Sequence, residues 1–359
     1  MKEYKETIKR EIFSLCSVLS VSGYETRGTE ALKSLFDRRF DRIETDAVGN
    51  HFLWKRCGRA GAPKILIDAH FDEIGMIVRE ICESGFVRVA SIGGLSPSVL
   101  QAADVILYGK EMLRGVIIST PPHLRSTEDD RLPDCEELLV DTGYSKESLE
   151  KLLPIGSPVG FAPVYRELLN GRLAGKSFDN KACAAIAAFA VDKTPKEALA
   201  GDVVLMLSSY EETSRIGGAS AGAFSLAPDY AMVIDVNLAT VPDVPKYETV
   251  PLGEGVSLSV SAATDRRLTR SVQTLCEDRQ IPHTMIAAPS STGTNATTVQ
   301  LVGGGIPTVD VGLPLRSMHT YNEVIDLADA EALCCLVEAF ICDRKLAEQF
   351  GGREEELPE

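Results

Sequence analysis

The sequence predicts an α/β protein with a small β-barrel or sandwich inserted into it. Three observations carry that reading. Apolar, β-branched runs at 64–70, 202–210 and 230–235 alternate with helical patterns. They end at His or acidic side chains, as buried strands do when they deliver those groups to the carboxyl edge of an open sheet. Between residues 74 and 162 the texture changes to short alternating runs punctuated by Gly and Pro, and afterwards the α/β alternation returns.

Taken in order, residues 3–20 place Ile8, Ile12, Leu15 and Leu19 at helical spacing, so the chain opens on an amphipathic helix. Ser22-Gly23-Tyr24-Glu25 breaks it, and a second helix covers residues 29–40. Residues 42–46 and 51–55 read as a hairpin, and 64–70 as a buried strand ending in His70-Phe71-Asp72. The runs GMIVREI, GFVRVASIGG, DVILYG, MLRGVII, LLVDTG and GSPVGF are the inserted strands, with one helix near 145–152. Asn170-Gly171 signals a hairpin. A helix rich in small residues follows from Lys176, then a strand running to Glu211-Glu212 and a Gly/Ala-rich helix at 217–224. Strands at 230–235, 256–260, 283–287 and 307–312 continue the alternation, with helices at 265–278, from 293, and at 327–350. The tail from 351 is acidic and reads as disordered. Gly303-Gly304-Gly305 follows a helix and lacks the dinucleotide-binding spacing, so it reads as a loop.

Composition narrows the function classes. A chain of 359 residues that is 44% hydrophobic can bury a large core and divide into two domains. A net charge of −15 repels nucleic-acid phosphates and anionic membranes, so neither is an expected partner. Nine cysteines without a C-x-x-C pair argue against a zinc ribbon or a disulfide framework and for a reducing, cytoplasmic setting. The amphipathic N-terminus does not read as a signal peptide, and no apolar run approaches the ~20 residues of a membrane span.

Five candidate ligands fall at the ends of elements: His70 and Asp235 after strands, Asp179 at a helix start, Glu212 after a strand and His319 in a loop. Each alone has a structural explanation as a strand-end, cap or turn residue. Together, two imidazoles and three carboxylates form a mixed donor set suited to zinc, cobalt or manganese, and a shared carboxylate would let them serve two ions. Asp72 lies two residues after His70, where a carboxylate can orient the imidazole. Glu211, beside Glu212, is a candidate acid/base. His51, His123 and His283 read as structural.

The segments IDAHFDEIGMIV, GGLSPSVL, GKSFDNKACAAIAA, EETSRIGGA, VIDV and GTNATTVQLVGGGIPTVDVGLPLRSMHTYNEVIDLAD resemble those of the tetrahedral aminopeptidases, metallopeptidase family forty-two. The resemblance runs in unbroken order from about Ser22 to Ala330. It implies a mixed-sheet, zinc-peptidase-like αβα sandwich as a catalytic domain over 1–73 and 163–359, and residues 74–162 as a β-rich dimerisation domain. It further implies His70, Asp179, Glu212, Asp235 and His319 as ligands of two divalent ions, with Asp179 bridging, Glu211 as general base and Asp72 behind His70. The implied partners are short peptides and copies of the chain, from dimers to twelve-subunit shells. Three positions depart from the family pattern. One residue is added after the Glu pair, Asn237-Leu238-Ala239 replaces Thr-His-Ala, and Asn295 stands where an aspartate is usual.

The expected reaction is attack of an activated water on the first peptide carbonyl, with Glu211 taking and returning the proton. The rival readings are a metal-dependent amidase or deacylase and a non-catalytic homologue that keeps the fold. A glycosidase would need two carboxylates flanking one bond, about 5–9.5 Å apart, and would leave the histidines without a task.

Overall fold

The computed structural model describes residues 2–118, 134–213 and 217–352. His123, residues 214–216 of the turn after the Glu pair, and the acidic tail from 353 lie outside the described residues.

Helix α1 (Lys2–Cys16) buries Ile8, Ile12, Leu15 and Cys16 along one face, and α2 (Thr29–Phe36) buries Leu32 and Phe36. Strands β1 (Arg42–Thr45) and β2 (His51–Lys55) pair antiparallel as the expected hairpin, and β3 (Lys64–His70) is buried from Ile65 onward. The chain then leaves the sheet. Strands β4 (Gly75–Ile81), β5 (Val87–Ile92), β6 (Asp104–Tyr108), β7 (Met112–Ile118), β8 (Leu139–Asp141) and β9 (Pro158–Phe161) close into a barrel in the order β4-β5-β8-β7-β6-β9. Closure removes the exposed strand edges that an open insert would present. Met76, Val89, Leu107, Val140 and Val159 alternate inward to give the barrel its own core. Helix α3 (Lys146–Leu152), capped by Ser145, lies between β8 and β9.

On its return the chain forms β10 (Arg166–Glu167) and β11 (Arg172–Gly175), an antiparallel pair turned at Asn170 and Gly171. Both turn residues have positive φ, 63° and 77°, the conformation that Asn-Gly favours. Helix α4 (Phe178–Lys193) is buried on almost every side, between the sheet and helices α1 and α8. Its run of alanines lets the packing partners approach closely, and a helix apolar all round belongs in an interior. The remaining elements are β12 (Asp202–Ser208), α5 (Gly217–Leu226), β13 (Tyr230–Leu238), β14 (Val256–Ser261), α6 (Arg266–Arg279), β15 (His283–Ala288), α7 (Ala296–Gln300), β16 (Thr308–Leu315), β17 (Glu323–Asp326), α8 (Leu327–Cys342) and α9 (Arg344–Phe350).

The main sheet has the strand order β1-β2-β12-β3-β13-β16-β14-β15 and is mixed. Its centre, β12-β3-β13-β16, is parallel, so these strands bring their carboxyl ends to one edge. Alternate residues of β3 face opposite layers: Ile65, Ile67 and Ala69 belong to the core on the α4 side, whereas Leu66 belongs to the core on the α5 side. The architecture is the expected αβα sandwich with a β-barrel inserted after its third strand.

Three local expectations are corrected. The strand expected to run into Glu211 ends at Ser208, because Ser209 and Tyr210 turn the chain and Tyr210 adopts φ 59°. The final helix is two helices: Asp343 leaves helical geometry and its carboxylate caps α9 by accepting the Leu346 N–H at 2.8 Å. Strand β17 was not anticipated; its four residues pair with β11, Arg172 opposite Asp326.

Candidate metal centre

At the carboxyl edge of the parallel strands, β3 ends in His70, and Asp235 of β13 lies on the neighbouring strand. Asp179 enters from the start of α4, the Glu pair from the turn after β12, and His319 from the loop after β16. His70 Nε2 lies 3.1 Å from an Asp179 oxygen, 3.6 Å from Asp235 and 3.9 Å from Glu211. His319 Nε2 lies 3.3 Å from Glu212 and 3.5 Å from Asp179. All five expected ligands and Glu211 thus converge, with Asp179 touching both imidazoles. His51 and His283 are elsewhere: His51 Nδ1 is 2.9 Å from the Thr45 hydroxyl, and His283 Nδ1 is 3.0 Å from the Ile281 carbonyl.

Asp72 does more than stand behind His70. His70 Nδ1 lies 3.0 Å from the Asp72 carbonyl and 3.5 Å from its carboxylate. A carbonyl oxygen only accepts, so Nδ1 carries the proton and Nε2 faces the cluster. The Asp72 carboxylate also accepts the backbone N–H groups of Glu211 and Glu212, each at 3.1 Å. Burial alone would raise its pKa, but its hydrogen bonds with His70, Ser22 and the Glu212 N–H hold it low. The turn is therefore fastened so that both glutamates reach one site, an arrangement a continuing strand would forbid.

Charge is crowded here. Burial, then Asp235, Glu212 and Asp72, push Glu211 up to about 8, with His70 opposing. Burial and Asp179 push Glu212 up to about 7 against the His319 hydrogen bond. Burial also raises Asp235, and the Glu212 contact raises His319 to about 9. Burial disfavours charged His70, yet Asp235, Asp179 and Asp72 hold its pKa well above the ordinary imidazole value. Such like-charge crowding is what a bound cation relieves.

The donors fit a divalent ion. One donor atom from each of His70, Asp179 and Glu212 lies within 4.8 Å of the others, and the buried Glu212 Oε1 has no hydrogen-bond partner among the described residues. A cleft of about 380 Å³ opens onto the cluster, its far side formed by Asn237, Leu238, Thr292, Thr294, Asp310 and Met318.

Two supporting carboxylates escaped the sequence reading. Buried Glu323, at the start of β17, accepts the Asp179 N–H at 3.0 Å. Buried Glu25 accepts the N–H groups of Gly23 at 2.9 Å and Tyr210 at 3.1 Å. Single glutamates on a one-turn helix and on a short strand carry no periodic signal; only their burial distinguishes them. Asn295 occupies its departure from the family pattern as a donor, 3.0 Å from both Asp68 and Ser208.

Comparison with known proteins decides the family. The M42 glutamyl aminopeptidase family profile matches residues 49–336. The chain belongs to the M42 peptidase family. The lysyl aminopeptidase of Pyrococcus furiosus is 30% identical over 336 residues, covering 90% of this chain and 94% of that one. An aminopeptidase from Desulfurococcus kamchatkensis superposes with a TM-score of 0.88 at 28% identity, covering 98% of this chain and all of that one. The TET1 peptidase of Pyrococcus horikoshii, which assembles into a tetrahedron or a large octahedral shell, superposes with a TM-score of 0.81 at 26% identity, over 94% of this chain and 99% of that one. As an M42 peptidase the protein is a metal-dependent aminopeptidase, a hydrolase of peptide bonds, and its family implies divalent metal ions. None of its described helices is long and apolar enough to cross a membrane.

Proposed function

We propose that this protein is a dinuclear aminopeptidase that removes N-terminal residues from short peptides, with His70, Asp179, Glu212, Asp235 and His319 holding two divalent ions. The observation that carries this is the placement of Asp179 between the two imidazoles, 3.1 Å from His70 and 3.5 Å from His319, so that its two oxygens face two donor groups. Zinc or cobalt suits the mixed nitrogen and oxygen donors best, with manganese next. When bound, such ions lower the pKa of water and polarise a peptide carbonyl.

The chain's own residues supply the rest. Glu211 projects beside the ligands rather than among the closest contacts, which suits a base more than a ligand. Cations nearby would draw its raised pKa down toward neutrality, the range in which a carboxylate both takes a proton from the attacking water and returns it to the leaving nitrogen. Asp72 holds the peptide groups of Glu211 and Glu212 and fixes the His70 tautomer. Residues 1–73 and 163–359 form the catalytic domain and 74–162 the dimerisation domain. Dimers build toward shells like those of the Pyrococcus horikoshii peptidase. All nine cysteines are free, which supports a cytoplasmic setting.

Glu211→Gln tests the assignment. It should abolish hydrolysis of aminoacyl-p-nitroanilides and short peptides while metal content stays unchanged; retained turnover rejects Glu211 as the base. Release of acyl groups instead of N-terminal residues from a mixed panel would replace the aminopeptidase reading with a deacylase.

A further inference from the structure

Beyond the metal donors, the cleft holds a fifth carboxylate with a different environment. Asp310 lies on β16, opposite Val233 of β13, and Gly312 two residues on lies opposite Asp235. Side chains of one strand repeat on the same face every second residue, so Asp310 faces the same side as Asp235, about 7 Å further down the sheet. It is 3% exposed and lines the cleft. Its partners are hydroxyls: Thr294 donates to it at 2.7 Å, and Ser259 also hydrogen-bonds to it.

Among the described residues no lysine or arginine lines this cleft. Of its five carboxylates, Asp179, Glu211, Glu212 and Asp235 gather around the imidazoles, and two divalent ions would carry the four positive charges that balance them. Asp310 is left over. Among the described residues no cation pairs with it, and burial, opposed by the Ser259 and Thr294 hydroxyls, raises its pKa to about 6. A buried carboxylate answered only by hydroxyls is costly unless a cation completes it.

Resting on the aminopeptidase reading above, we propose that Asp310 is the specificity-determining residue of the cleft, and that it selects peptides whose N-terminal side chain is cationic, lysine or arginine. The free amine and first carbonyl lie at the ion cluster, and the first side chain runs past Asn237 and Thr294 toward Asp310. An apolar side chain would leave the buried charge unanswered, and an acidic one would be repelled.

The test compares lysyl, arginyl, leucyl and glutamyl p-nitroanilides on the metal-loaded wild type, Asp310→Asn and Asp310→Leu, together with calorimetric binding of lysinamide and leucinamide. Lysyl and arginyl substrates should lead in kcat/KM by at least ~10-fold, as a buried charge pair predicts. Asp310→Asn should remove that lead, and Asp310→Leu should reverse it. Leucyl or glutamyl preference in the wild type, or equal loss of lysyl and leucyl turnover in Asp310→Asn, overturns the proposal. If no substrate is hydrolysed, the aminopeptidase reading fails by itself. The binding comparison still decides this one: lysinamide tighter than leucinamide, and only in the wild type, supports Asp310, and equal binding rejects it.

Discussion

Glu25 accepts the backbone N–H of Tyr210 at 3.1 Å, across 185 positions of chain. With Asp72 on the next two peptide groups, three successive N–H groups of the acidic turn are held by two buried carboxylates. Burial and the neighbouring Asp72 push Glu25 up to about 7, so an uncharged acceptor of the same shape can replace it. Glu25→Ala should lower kcat by ~10-fold or more with little change in KM, the loss expected when buried donors are left unpaired. Glu25→Gln should restore most of the rate, measured on the same p-nitroanilide; equal loss in both variants would mean a role other than holding the turn.

Gly94, just after β5 of the barrel, faces His319. A Cβ there would lie 2.7 Å from His319 Nδ1, closer than real contacts allow. Gly94→Ala should therefore displace the imidazole and reduce bound metal below the wild-type stoichiometry, read by elemental analysis, without unfolding either core. Unchanged metal content would show that the ring can move aside freely.

Glu73 sits buried between Lys176 and Lys181, 3.1 Å from the Lys181 ammonium. Burial alone would raise its pKa, yet the two lysines hold it at about 2 against an ordinary 4.5. A depressed carboxylate contributes stability that is present above 4.5 and is lost as pH falls toward 2. Over that window the wild type should lose ~3 kcal/mol from this group, since each pKa unit is worth about 1.4 kcal/mol. Glu73→Gln should flatten the acid limb of a stability-versus-pH curve, and Glu73→Ala should cost ~3–5 kcal/mol at neutral pH by stranding two buried ammonium groups.

Asn295 donates to buried Asp68, whose pKa burial raises to about 7. Asn295→Asp would set two carboxylates against each other and should destabilise the protein by ~1–3 kcal/mol in chemical denaturation. Adding Asp68→Asn should recover most of that loss by exchanging donor and acceptor. A double variant no better than the single one would place the effect elsewhere.

The residues that converge on the cleft are legible in the sequence because strand ends and helix starts announce themselves through the apolar runs beside them: His70, Asp179 and Asp235 each close or open such a run. The Glu pair reaches the same cleft from a turn and not from a strand, since a β-branched run does not reveal that Tyr210 turns with positive φ. The barrel's strands were legible from their alternation. Glu25, Glu73, Glu323 and Asp310 do not stand out in the sequence because a buried carboxylate looks like a surface one until its neighbours are placed. Asp343 shows the same limit in the backbone, where one capping residue divides a continuous apolar pattern into two helices.

The residues that converge on the cleft span positions 70 to 319, and the last of them follows β16, a strand of the parallel centre of the sheet. A chain still emerging from the ribosome lacks that imidazole and the strand that positions it. Convergence of these side chains is thereby deferred until synthesis and folding are nearly complete, and fragments truncated before His319 lack one of the two imidazoles. The timing of the site's assembly is written into the order of the elements.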